Sequence, residues 1–211
     1  MRWLKIMSSE ALRTDYKIIS EWIEPGTFVL DLGCGTGELL YYLIKNKSVR
    51  GQGIEIDEQA IYQCVAKGLN VLHGDIDSGL SEFNDKTFDY VIMNQSLQQI
   101  QHVDSVLKDA LRVGKRVIAG FPNFAHLRAR VQILFSGRTP VVGALPYQWF
   151  ETPNLHFLSI KDFTDYCSLR KLVIENRAFL RDSKRIHLFP NLFAETGIFK
   201  ISFKEGVSNY G

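Results

Sequence analysis

The sequence predicts a doubly wound α/β fold of the Rossmann type. Short apolar strands alternate with helices along most of the chain. A glycine-rich turn closes the first strand and opens a helix. Acidic residues stand at the ends of the second and third strands. Strands separated by helical crossovers pair in parallel, and the right-handed crossover rule places helices on both faces of such a sheet.

The elements follow in order. Residues 12–23 carry Leu12, Tyr16, Ile19 and Ile23 at helical spacing and stop at Pro25-Gly26, so 1–24 reads as an N-terminal helical segment. Residues 28–32 form an apolar run too short for a helix. Helix 38–45 presents Leu39, Leu40, Leu43 and Ile44 to a core. A second strand covers 53–56. Asp57 then caps a helix that carries Ala60, Ile61, Cys64 and Val65 and ends at Gly68. Strands at 71–73 and 89–93, a helix at 103–113 and a strand at 116–121 complete the alternation before Pro122.

Beyond Pro122 the pattern changes. A helix is expected over 124–135, with Arg128 and Arg130 on a basic face. Residues 137–153 are rich in proline, glycine and aromatics and have no clear period. Such a segment is usually a lid or a binding loop. Ser159 and Asp162 make a capping-box pattern, strands follow at 172–179 and 197–203, and 206–211 is a polar tail expected to be disordered. We expect a single domain over 1–211, with 124–158 as a lid or interface insertion.

Composition narrows the function. The chain of 211 residues has 25 basic and 23 acidic side chains, and this balance gives no reason to expect a nucleic-acid partner. The 3 cysteines, Cys34, Cys64 and Cys167, lack metal-ligand and redox-motif spacing, which predicts reduced thiols and no metal. No stretch approaches the roughly 18 apolar residues of a membrane span, and the first residues lack a cleavable leader pattern. A cytoplasmic protein without a membrane partner is therefore expected.

The central signal is Asp31-Leu32-Gly33-Cys34-Gly35-Thr36-Gly37 at the carboxyl end of the first strand. Alternating glycines allow a tight turn and let a ligand approach the backbone. Open α/β sheets bind ligands in the crevice at that end. In a dinucleotide fingerprint the last glycine would fall at position 38, which is Glu38. A carboxylate there repels a pyrophosphate at the helix N-terminus, so a NAD site ranks below one for a cationic, phosphate-free cofactor. S-adenosylmethionine, or its product S-adenosylhomocysteine, fits the loop. Glu55 ends the second strand, where a carboxylate can accept from both ribose hydroxyls. Asp75 follows the third strand and can accept from an adenine amino group. The candidate cofactor residues are Asp31, Gly33, Cys34, Gly35, Gly37, Glu55, Ile56, Asp75, Ile76 and Asn94.

Catalytic residues are not specified by the sequence. Methyl transfer from a sulfonium needs positioning and desolvation, and needs a base only for acceptors protonated at neutral pH. His102, His126 and His156 are bases by residue type alone, and for His156 a structural role is favoured. The run Asn94-Gln95-Ser96-Leu97-Gln98-Gln99 lacks the Asn-Pro-Pro-aromatic pattern of nucleobase methylation. Asn94 and Gln95 serve equally well as polar caps on a strand end or as a lining for the methyl-transfer end. Arg128, Arg130 and Arg138 make either a solvated face or an anion-docking patch, with the former favoured.

Taken together, these residues resemble the methionine biosynthesis protein MetW family. The resemblance rests on Val29-Leu30-Asp31-Leu32-Gly33-Cys34-Gly35 with Gly37-Glu38-Leu39-Leu40, and on Asp89-Tyr90-Val91-Ile92 with Gln95-Ser96-Leu97-Gln98. Its most distinctive part is Phe121-Pro122-Asn123-Phe124 with His126 and Arg128, then Gly137-Arg138, Pro140, Leu145-Pro146-Tyr147, Trp149 and Thr152-Pro153-Asn154-Leu155-His156. Thr36 stands where the family usually has an acidic residue, and Phe124-Ala125-His126-Leu127 replaces a more polar or aromatic pairing. The resemblance implies a class I methyltransferase fold, with a mostly parallel seven-stranded sheet whose last strand is antiparallel. It also implies a role in methionine biosynthesis in support of a homoserine O-acyltransferase. Two readings follow. One is a cofactor-binding accessory subunit that docks the acyltransferase through 146–153, where Tyr147, Trp149 and Phe150 lie. The other is a free-standing small-molecule methyltransferase.

Overall fold

The computed structural model describes residues 13–204, so Leu12, the preceding segment and the 206–211 tail lie outside it. Its helices are α1 (Thr14–Trp22), α2 (Glu38–Lys47), α3 (Glu58–Ala66), α4 (Val103–Val113), α5 (Leu127–Ser136), α6 (Ile160–Leu169) and the short α7 (Pro190–Phe193). Its strands are β1 (Phe28–Leu32), β2 (Arg50–Glu55), β3 (Asn70–His73), β4 (Phe88–Asn94), β5 (Gly114–Pro122), β6 (Leu172–Arg181), β7 (Lys184–Arg185) and β8 (Thr196–Phe203). They form an 8-stranded sheet in the order β3-β2-β1-β4-β5-β8-β6-β7.

The sheet is parallel from β3 through β5, and β8 runs antiparallel between β5 and β6. The expected seven strands are present. The additional β7 is a two-residue hairpin partner of β6. Because side chains alternate across a strand, β1 sends Val29 to one face and Leu30 to the other. Val29 joins Ile18, Ile19, Leu40, Leu43 and Cys64 under α1, α2 and α3. Leu30 joins Val106, Leu107, Ala110, Phe163 and Cys167 under α4 and α6. The chain winds outward from β1 to β3, then returns to β4 on the other side. That reversal opens a crevice at the carboxyl ends of β1 and β4.

Several boundaries differ from the sequence reading, and three of them have an identifiable cause. β2 begins at Arg50 because that residue pairs with Phe28, although Arg50-Gly51-Gln52 carries no apolar signal. Helix α5 begins at Leu127 because residues 123–126 are spent on a cap. Asn123 Oδ1 accepts from Ala125 N at 3.2 Å, and His126 Nδ1 accepts from Ala129 N at 3.3 Å. Strand β6 runs on to Arg181 and turns at Asp182-Ser183 into β7. The capping box at the start of α6 forms as the sequence predicts, with Ser159 and Asp162 satisfying each other's backbone N–H. The 137–153 segment is irregular apart from a bridge between Val142 and Leu145.

Candidate functional site

The crevice is a cleft of about 370 Å³ lined by Gly33, Gly35, Glu55, Ile56, Asp75, Ile76, Asp77, Gln95, Ser96 and Gln99, among others. The three loop glycines have φ of +73°, +53° and +76° at Gly33, Gly35 and Gly37, where L side chains are strained. Their surroundings differ. A Cβ on Gly33 would sit 2.9 Å from Ser96 Cβ, so that glycine lets the turn after β4 pack against the loop. A Cβ on Gly35 would meet nothing within 4 Å, so this face of the loop is open to the cleft. A Cβ on Gly37 would lie 2.3 Å from Leu69 Cδ1 and 2.8 Å from Cys64 Sγ. Gly37 therefore serves the packing of α2 on α3 rather than the cleft.

Glu55 binds the glycine loop to its own strand end. Its Oε2 accepts from Gly35 N at 2.6 Å, and its Oε1 accepts from Ile56 N at 2.9 Å and Asp57 N at 3.0 Å. The carboxylate is buried yet lines the cleft, and each of its oxygens has more than one acceptor direction. Asp75 caps the short turn that follows it by accepting from Asp77 N at 2.9 Å. Ile56 is 60% exposed and, with Ile76, gives the cleft an apolar part of its lining.

Asp31 lies buried beneath the loop. Burial, and then the Glu55 carboxylate, push its carboxyl up to about 7. Cys34 points into the sheet, with Sγ 2.6 Å from where a Cβ on Gly53 would stand, and burial holds its thiol well above the ordinary range. It is packing, not a nucleophile. Cys64 Sγ donates to Gly35 O at 3.2 Å. Asn94 does not line the cleft. Its Nδ2 donates to Asp15 Oδ2 at 2.9 Å, turning the side chain towards α1.

Sequence reasoning missed Asp77 and Ser96 as organisers of this region. Asp77 accepts from Gln101 N and His102 N, both at 2.8 Å, and so fixes the segment before α4. Ser96 Oγ donates to Leu32 O at 2.8 Å, clamping the β4 turn onto the end of β1. No motif announces either role, because both depend on which strand ends become neighbours. Gln95, which the sequence offers as a strand-end cap or as a lining residue, lines the cleft, whereas Asn94 does not.

The three histidines separate. His102 is exposed and faces Asp77 at 3.4 Å. His126 is 2% exposed, caps α5 through Nδ1, and burial lowers its pKa. His156 donates its backbone N–H to Gln98 O at 3.0 Å. None of them lines the cleft. Arg128 faces Glu195 at 3.4 Å and Arg130 donates to Ala125 O, so neither extends freely as a basic face.

An open, mostly parallel sheet with an antiparallel strand inserted beside β5, and a glycine-loop cleft at its carboxyl edge, is the architecture of the S-adenosylmethionine-dependent methyltransferases. An S-adenosylmethionine-dependent methyltransferase from Mesorhizobium loti superposes with a TM-score of 0.67 at 12% identity, over 89% of this chain and 97% of that one. The [4+2]-cyclase SpnF superposes with a TM-score of 0.65 at 14% identity, over 91% of this chain and 81% of that one. Likeness at this level defines the fold and not the reaction.

The particular family is identified by sequence. Residues 13–201 match the family described as methionine biosynthesis protein MetW, and the chain belongs to it. A relative from Rhodopirellula baltica, the bifunctional methionine biosynthesis protein MetXA/MetW, is 34% identical over 206 residues, covering 92% of this chain and 33% of that protein. The chain thus spans about a third of that relative's length. Among the described residues, no helix is long and apolar enough to cross a membrane.

Proposed function

We propose that the chain binds S-adenosylmethionine in the cleft and serves methionine biosynthesis as a cofactor-binding partner of a homoserine O-acyltransferase. The observation that carries the cofactor is the pairing of Glu55 with the open face of Gly35. A carboxylate already held by three backbone N–H groups, two on Oε1 and one on Oε2, keeps a free acceptor direction on Oε2 for a ribose hydroxyl. Gly33 and Gly35 give the backbone approach, Ile56 and Ile76 flank the adenine, and Asp75 accepts from its amino group. Asp31 and Glu55 supply negative charge for a sulfonium and an ammonium, and the same charge disfavours the pyrophosphate of NAD. Cys34 and Gly37 hold the loop from behind, and Asn94 acts through Asp15. The cofactor supplies an activated methyl group when bound.

The partner is supported by the relative in which MetXA and MetW share one name and one chain. Residues 124–158 are the proposed insertion of a single domain. Its rings are available for docking, with Trp149 71% and Phe150 65% exposed. The reading places the protein in the cytoplasm, with its free thiols reduced. Free-standing methyl transfer to a small molecule is the second reading, favoured by a polar cavity that meets the cleft at Gln95.

Ligand-induced stabilisation tests the cofactor. At about 100 times its dissociation constant, a ligand adds about 2.7 kcal/mol, or roughly 5–10 °C in melting temperature for a chain of this size. S-adenosylmethionine or S-adenosylhomocysteine should give such a shift, and NAD none. A shift with NAD alone would sink the reading.

A further inference from the structure

We infer that the cavity beside the cleft is a second binding site, for a small ligand bearing an ammonium group seated on Glu195. The cavity holds about 300 Å³, room for a molecule of amino-acid size, and is bounded by the start of α1, the turn after β4, the β6–β7 turn and the residues before β8. Its charged lining consists of Arg13, Asp15, Asp182 and Glu195.

The carboxylates there are not equivalent. Asp15 takes Arg13 Nε at 3.1 Å, Arg13 Nη2 at 2.6 Å and Asn94 Nδ2 at 2.9 Å, so it is well satisfied. Asp182 is largely exposed and has Arg181 at 3.6 Å. The Glu195 side chain is only 12% exposed, and among the described residues its carboxylate has a single, long contact, from Arg128 Nη1 at 3.4 Å. A carboxylate so far withdrawn from water normally has several short donors. On one side it is walled by backbone. A Cβ on Gly143 would stand 2.7 Å from its Oε1, and Gly143 has φ +47°. Glu195 lines the cavity with this acceptor capacity unmet. A ligand of net negative charge would meet an excess of carboxylates there, and one without a cationic group would leave Glu195 with the long Arg128 contact alone. An ammonium completes it.

Gln95 ties this cavity to the cofactor cleft, since it lines both. Its φ of +66° is unusual for a residue with a side chain, and is fixed by Gln95 N donating to Gly120 O at 2.7 Å. Among the described residues, no hydrogen bond involves its side-chain amide. Asp182 and Ser183, at φ +45° and +62°, form a two-residue hairpin turn of the kind that favours Asn-Gly, yet they carry polar side chains at the cavity wall. The cofactor's own amino-acid tail does not account for the site. Glu195 precedes β8, three strand positions from β1, or roughly 14 Å at about 4.8 Å per strand.

The inference uses the cofactor reading only to say what lies beyond Gln95, and the test separates the two. The full chain is titrated with the free L-α-amino acids and their N-acetyl derivatives by calorimetry, with and without saturating S-adenosylhomocysteine. At least one free amino acid should bind alongside S-adenosylhomocysteine, and its N-acetyl form should not. Glu195→Gln should weaken that binding about tenfold or more while S-adenosylhomocysteine affinity and melting temperature hold. Glu195→Asp, which keeps the charge, should lose less. The inference fails if no amino acid binds, if acetylated forms bind equally, if both variants lose alike, or if S-adenosylhomocysteine competes. Amino-acid binding that depends on Glu195, without any S-adenosylhomocysteine binding, would uphold the inference and overturn the cofactor reading.

Discussion

Asp31 is buried at the end of β1 with Glu55 as its charged neighbour, and its carboxyl titrates near 7 instead of near 3.8. The folded state therefore favours the protonated form. Its contribution to stability is complete below pH 4 and is lost as pH rises to about 7. Asp31→Asn mimics the protonated side chain. It should stabilise the ligand-free protein at pH 8 by about 1–3 kcal/mol and leave pH 4 stability nearly unchanged. Denaturant curves at both values measure this, and parallel losses in wild type and variant would show that Asp31 is already ionised without penalty. Binding of a cation reverses the logic, because it stabilises ionised Asp31. Affinity for S-adenosylmethionine should then climb between pH 6 and 8 in the wild type and stay flat in Asp31→Asn.

At the scale of elements, Asn123 does what no single helix or strand can do for itself. Fully buried after β5, it donates through Nδ2 to Ala194 O at 2.8 Å and Asn191 O at 3.2 Å, and accepts through Oδ1 from Ala125 N and Ile160 N. One side chain thus joins the exit of β5, the start of α6 and the end of α7. Asn123→Ala leaves these buried backbone groups without partners and should cost about 3 kcal/mol or more, read from urea denaturation. A loss below about 1 kcal/mol would mean that the three elements hold their positions by apolar packing alone. The sequence marks Asn123 only as part of a resemblance, because its partners lie 68 and 71 residues away. The glycine turn, the Asp57 and Ser159 caps and the helix faces are local and were readable. So were Glu55 and Asp75 as strand-end acids. The redirection of Asn94 to Asp15, the clamp of Ser96 and the shared position of Gln95 were not, since they depend on what the end of β4 meets in space: α1 for Asn94, β1 for Ser96 and β5 for Gln95. Polar Arg50-Gly51-Gln52 hid the first half of β2 for the same reason: its pairing with β1, not its own pattern, makes it a strand.

For the whole molecule, the most prominent apolar surface outside the cleft lies on the 124–158 insertion. Leu134 and Phe135 at the end of α5 are exposed, as are Trp149 and Phe150, which meet edge to face at 5.6 Å. Large exposed rings on an irregular segment are typical interface anchors. Trp149→Ala should weaken co-purification with a homoserine O-acyltransferase by about 1 kcal/mol or more and leave S-adenosylmethionine affinity within about twofold. Loss of cofactor binding with an intact complex would make the segment a lid and favour the free-standing enzyme. The position of β8 carries a different consequence, for biosynthesis. The last described strand lies inside the sheet, hydrogen-bonded to β5 on one side and β6 on the other. A nascent chain that has emerged only as far as β7 therefore has two open strand edges facing a gap. Neither Phe121 nor Ala178 can reach its final neighbours until Phe199 and Ile198 have left the ribosome. Closure of the sheet must wait for nearly the whole described chain, and during that wait the exposed edge of β5 is the place where a chaperone would be needed most.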